Sequence, residues 1–158
     1  MKIFIIGNIG VGKSFLSKLL SKITGYRVYS IDNFRKKHNN LVTLQGENIA
    51  YDIYKKTVIA ADSGIIEMTG TGKHYESIIV FCPNKIVIKV LPKSVKNPKS
   101  KNVLPYELDI NESVRRNDIL LQDKDFDLVY DGKAPHKFWE MLSVLFPQWK
   151  EAILLHKK

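Results

Sequence analysis

The chain has 158 residues, 44% hydrophobic and 10% aromatic, enough apolar material for one domain with a sizeable core and too much for a disordered or collagen-like class. Cys82 is the only cysteine, which excludes an intramolecular disulfide and a cysteine-based zinc cage and fits a reducing, cytoplasmic setting. The formal net charge of +9 is compatible with an anionic partner such as nucleic acid, or simply with a solvated lysine surface.

The first apolar run, Ile3 to Ile6, ends at Gly7, so it is too short for a signal peptide, and no later run approaches membrane-spanning length. No membrane association is expected. The run instead reads as a central parallel strand, continuous in apolarity. It leads into Gly7-Asn8-Ile9-Gly10-Val11-Gly12-Lys13-Ser14, which has the spacing G-x-x-x-x-G-K-[ST] of a phosphate-binding loop. Glycines let the backbone curl so that successive N–H groups face an anion, Lys13 reaches the β- and γ-phosphates, and the Ser14 hydroxyl faces Mg²⁺. Gly7, Asn8, Gly10, Val11, Gly12, Lys13, Ser14 and Phe15 are therefore the predicted nucleotide-binding set, with ATP and Mg²⁺ as the predicted ligands. Phe15, Leu16, Leu19, Leu20 and Ile23 recur at helical spacing after the loop, and Gly25 closes that helix.

Arg27 to Ile31 reads as a second strand ending at Asp32, and Asn33 to Asn40 as a short exposed basic helix decaying into a loop. A second long helix is predicted from Glu47 to Asp62, with Tyr51 and Tyr54 at core-packing spacing. Ile65 to Thr69 reads as a third strand, followed by the turn Gly70-Thr71-Gly72 and a short helix from His74 to Phe81. Lys85 to Leu91 is a fourth strand ended by Pro92. The segment from Pro92 to Pro105 is rich in lysine, serine, asparagine and proline and is expected to be an exposed loop. Asp109 and Glu112 have capping-box spacing before a helix carrying Val114, Arg115, Arg116, Ile119, Leu120 and Leu121. Phe126 to Tyr130 is a fifth strand, the last main helix begins near Pro135, and Pro147 breaks it or starts a short final helix. Strands alternating with helices, with no internal repeat and no linker, predict a single α/β domain over 1–158: a three-layer α/β/α P-loop fold on a five-stranded parallel sheet, with a mobile lid at about 92–116. Ligands then bind at the carboxyl ends of the strands.

The phosphate loop after the first strand, an acid at the end of the second, and arginines after a loop near the fourth resemble the P-loop nucleoside, nucleotide and polynucleotide kinase superfamily. Asp32-Asn33-Phe34-Arg35 is similar to the D-x-x-R segment of polynucleotide 5′-kinases and related small kinases. The resemblance implies that Asp32 orients or deprotonates the acceptor hydroxyl and that Arg35 holds an acceptor phosphate. It implies that Glu67, at the end of the third strand, holds Mg²⁺ or is itself the base, leaving two candidates for that role. Thr69 and its glycine-rich neighbours would contact the acceptor. Arg115 and Arg116 resemble lid arginines that close over the triphosphate, and adjacent residues diverge by about 100° on a helix, so the two would not act identically.

Lys85, Lys89, Lys93, Lys96, Lys99 and Lys101 fall in a stretch without an acidic residue, which favours a nucleic-acid or nucleotide-like acceptor for the γ-phosphate. The alternatives are a small-metabolite or nucleoside monophosphate kinase, or a P-loop NTPase acting as a switch. A GTPase is disfavoured because Asn84-Lys85-Ile86-Val87 lacks the aspartate of N-K-x-D. The four histidines are scattered without metal-ligand spacing, and Cys82 reads as a small buried apolar residue.

Overall fold

A computed structural model of the chain describes residues 1–38, 43–92, 110–122 and 124–156. The elements in order are β1 (Lys2–Ile6), α1 (Lys13–Thr24), β2 (Val28–Ser30), α2 (Ile31–His38), α3 (Leu44–Ala60), β3 (Gly64–Met68), α4 (Gly72–Ile79), β4 (Lys85–Leu91), α5 (Ile110–Gln122), β5 (Leu128–Asp131), α6 (Pro135–Leu145), a 3₁₀ turn (Pro147–Trp149) and α7 (Lys150–His156). The strands form one five-stranded sheet in the order β2-β3-β1-β4-β5, every pair parallel.

Both faces of this sheet are covered, which is why β1 and β3 are buried at every position and, apart from Lys2 and Glu67, carry no polar side chain. The pleat sends successive β1 side chains to opposite cores. Ile3 and Ile5 join a cluster with Leu16 and Leu20 of α1, Phe138, Trp139 and Leu142 of α6, and Ile153 of α7. Phe4 and Ile6 join the opposite cluster, with Tyr54 and Val58 of α3, Tyr75 and Ile78 of α4, and Leu121 of α5. Burying a Leu- or Ile-sized side chain stabilises the fold by ~1.5–3 kcal/mol, so these two layers hold the sheet from both sides. Trp139, Trp149 and Cys82 are core residues, the last as its chemistry predicted.

The boundaries differ from expectation where local chemistry decides them. α3 begins three residues early because the Thr43 hydroxyl accepts a hydrogen bond from the Gly46 N–H at 2.9 Å, an N-cap that draws Leu44 to Gly46 into the helix. β2 is reduced to Val28–Ser30, and Asp32 lies in the first turn of α2. Both Tyr29 O and Glu67 O lie 3.0 Å from the Tyr54 hydroxyl, which ties the ends of β2 and β3 to α3. The predicted lid lies largely outside the described residues, as does Asp109 of the proposed capping box. Among the described residues no helix is long and apolar enough to cross a membrane.

Candidate active site

The order β2-β3-β1 places the three strand ends next to one another, with Ser30 opposite Glu67 and Ile5 opposite Glu67 in register. Asp32 follows β2, Glu67 lies on β3 and the phosphate loop follows β1. Three signals far apart in sequence thus meet on one edge of the sheet, at its carboxyl end.

The loop is shaped by its glycines. Gly12 caps α1 with φ 102°, a left-handed conformation that side chains other than glycine rarely adopt. At Gly7 the constraint is space: a Cβ would stand 2.8 Å from Val11 Cγ2 and 3.0 Å from the Val90 carbonyl oxygen. Val11 itself is buried in the core beneath the loop, and Gly7 N donates to Thr69 O at 3.2 Å. Phe15 is exposed at the start of α1.

Lys13 curls back on the loop, its ammonium donating to Gly7 O at 2.7 Å and Asn8 O at 2.8 Å. Burial lowers its pKa to about 8, against the opposing attraction of Glu67 and Asp32. Both candidate carboxylates therefore act electrostatically on the loop lysine. The Ser14 hydroxyl donates to Glu67 Oε2 at 3.3 Å, and Glu67 is only 9% exposed.

Arg35 is one turn along α2 from Asp32, as its spacing implied, and donates to it from Nη1 at 2.9 Å. A second carboxylate that sequence reading passed over is Glu47 of α3. Arg35 Nε donates to its two oxygens at 2.8 and 3.0 Å, and Nη2 lies 2.6 Å from Oε1. The guanidinium also stands 5.7 Å from the centre of the Tyr51 ring, which stacks on His74 at 4.0 Å with 5° between the planes. Burial alone would lower the Arg35 pKa; the Glu47 hydrogen bond, with Tyr51 and Asp32, outweighs it and the pKa is raised. Burial and Lys73 lower that of His74. Tyr51 thus faces Arg35 while also packing against the core beside Tyr54, as its spacing predicted, and Tyr54 is fully buried. Only its place at a helix start marked Glu47 in the sequence; its pairing with Arg35 depends on α2 and α3 packing together.

Thr69 is half-buried and meets the loop through its carbonyl. Arg115 and Arg116 are both exposed on α5. Of the six lysines in the acid-free stretch, Lys85 and Lys89 belong to β4, and Lys89 is tied into the fold by donating to Leu121 O at 3.2 Å. The other four lie outside the described residues.

Several solved structures share this architecture. Shikimate kinase from Aquifex aeolicus vf5 superposes with a TM-score of 0.55 at 17% identity, covering 95% of this chain and 99% of that one. Shikimate kinase from Acinetobacter baumannii in complex with shikimate gives 0.61 at 14% identity, covering 93% of each chain. The fold is that of the small P-loop kinases. A gluconokinase from Sinorhizobium meliloti 1021 also matches, with a TM-score of 0.55 at 10% identity over 99% of this chain and 97% of that one. No protein-family model matches the sequence, and no curated protein is significantly similar to it.

Proposed function

We propose that the protein is an ATP-dependent kinase that transfers the γ-phosphoryl group to a hydroxyl of a small metabolite. The observation that carries this reading is the convergence of Lys13, Asp32 and Glu67 at the carboxyl end of one parallel sheet, with both carboxylates acting on the lysine. The shared fold with kinases of small hydroxylated acids favours a small acceptor over the nucleic-acid acceptor that the charge pattern suggested. The internal engagement of Lys89 removes part of the charge argument for a polymer.

The loop N–H groups and the positive end of the α1 dipole would hold the phosphates, and Lys13 would leave Gly7 O and Asn8 O to pair with them. Asp32 is assigned as the group that orients the acceptor hydroxyl and takes its proton as the oxygen attacks phosphorus in line with the departing ADP. Arg35 and Thr69 belong to the acceptor side of the site, and at least one of Arg115 and Arg116 is assigned to charge developing on the transferred group.

Ser14 and Glu67 suit Mg²⁺: they place a hydroxyl and a carboxylate oxygen together beneath the loop. Among the described residues no group of three or more His, Cys, Asp or Glu could cage a metal, and Mg²⁺ takes most of its ligands from phosphate and water. When bound, the ion supplies positive charge to the phosphate oxygens. Glu67 is assigned to this role and Asp32 to the base.

Acceptor-stimulated ADP formation tests the reading, with hydroxylated acids, sugars, nucleosides, nucleotides and single- and double-stranded nucleic acids supplied in turn. Stimulation by a small hydroxylated compound, lost in Asp32→Asn while ATP still binds, is expected. Stimulation by polymer alone would return the acceptor to nucleic acid, and ADP formation indifferent to every acceptor would favour a nucleotide-driven switch.

A further inference from the structure

The phosphate loop is fastened to α5 through the Asn8 side chain, which is only 4% exposed. Its amide group donates to Val114 O at 2.7 Å and to Asp118 Oδ1 at 2.6 Å, while its Oδ1 accepts from Ile9 N at 2.8 Å. The buried Asn117 extends the link, with its Nδ2 3.5 Å from Asn8 Oδ1 and its Oδ1 accepting from Thr71 Oγ1 at 3.4 Å. Val114, Asn117, Asp118 and Leu121 lie at helical spacing on one face of α5. Leu121 anchors the far end of that face in the core, and the Asn8 contacts hold the end near the loop.

We propose that Asn8 is a positioning residue that couples nucleotide binding to the placement of α5, the helix that carries Arg115 and Arg116. One of the two loop carbonyls that accept from Lys13 is that of Asn8 itself, at 2.8 Å, so drawing Lys13 onto phosphate acts on the residue that grips α5. An asparagine suits this role because it presents two donors and an acceptor at once; serine would keep only one donor, aspartate none, and leucine neither donor nor acceptor. Coupling between two sites is reciprocal, so a contact on α5 that never touches the nucleotide must affect nucleotide affinity. This inference rests on the reading of the loop as an ATP site.

Asp118 provides a test whose sign is diagnostic. If its carboxylate were a bystander near the loop, Asp118→Ala would relieve repulsion and tighten ATP binding. The pin predicts the opposite: ATP binding weakens about five- to tenfold. Asn8→Ala weakens it similarly, and the double variant is little worse than either single one, because both remove the same contact. Hydrogen exchange supplies a second reading: ATP slows exchange of the α5 amides in the unaltered protein and no longer does so in Asp118→Ala, while β1, β3 and β4 stay protected and show the fold intact. Unchanged or tighter ATP binding in Asp118→Ala, additive losses in the double variant, or α5 exchange indifferent to ATP in the unaltered protein would each overturn the proposal. Failure of the unaltered protein to bind ATP would instead overturn the reading of the loop, and the two failures are distinct.

Discussion

At the scale of single residues, Lys13 carries the sharpest expectations. Lys13→Ala should abolish phosphoryl transfer, since no other loop side chain supplies a cation to the phosphates; normal turnover would refute the site. With its pKa lowered to about 8, Lys13 binds fewer protons in the folded chain than in the unfolded one between about pH 8 and 10.5, so its contribution to stability rises with pH across that window and is lost as pH falls through 8. Nucleotide phosphates favour the charged form, so ATP binding should take up a proton above pH 8 and weaken as pH rises further. Calorimetry in buffers of different ionisation enthalpy reads that proton directly, and a proton count of zero on both sides of pH 8 would contradict it.

The Arg35 pairings make a stability prediction at the same scale. The side chain of Glu47 is 8% exposed and that of Arg35 20%, so the pair is largely withdrawn from water. Arg35→Met removes the guanidinium hydrogen bonds to Glu47 and Asp32 and should cost about 2–4 kcal/mol, read as a fall in the urea midpoint. An unchanged midpoint would show that the cluster is dispensable to the fold.

At the scale of elements, the link that matters most is Tyr54, whose hydroxyl sits between the carbonyls of Tyr29 and Glu67. Tyr54→Phe should destabilise the protein by about 1–3 kcal/mol by leaving buried carbonyls without that donor. Because those carbonyls close β2 and β3, activity should fall along with stability; a fully active, fully stable variant would remove Tyr54 from the account.

Elements also show where sequence reading succeeds and where it stops. The strands were legible because a sheet covered on both faces demands unbroken apolar runs such as Ile3 to Ile6, and the loop because close approach and positive φ demand glycine at Gly7 and Gly12. Strand and helix ends moved by a few residues where one cap or hydrogen bond decides them, as at Thr43. Glu47 and Asn8 could not be given their partners in advance. Arg35 meets Glu47 only once α2 packs on α3, and Asn8 meets Asp118 across 110 residues of chain. Nothing in local periodicity encodes such a meeting. Tyr51 packs against the core beside Tyr54, as their i,i+3 spacing predicted, but its contact with Arg35 depends on where α2 sits and could not be read from that spacing.

At the scale of the whole molecule, the parallel sheet fixes where chemistry can occur. The order β2-β3-β1-β4-β5 places β1 in the middle, flanks its loop with the acids following β2 and on β3, and leaves the other side to β4. The net charge of +9 describes the surface, whereas the strand order decides which side chains meet at the candidate site. The most direct measurement of the central claim is the fate of labelled γ-phosphate from ATP and Mg²⁺ incubated with the protein and a mixture of small hydroxylated metabolites and nucleic acids. Label on a small hydroxylated compound, absent with Lys13→Ala, is the predicted result, whereas label on nucleic acid alone, or released only as inorganic phosphate, would contradict the account.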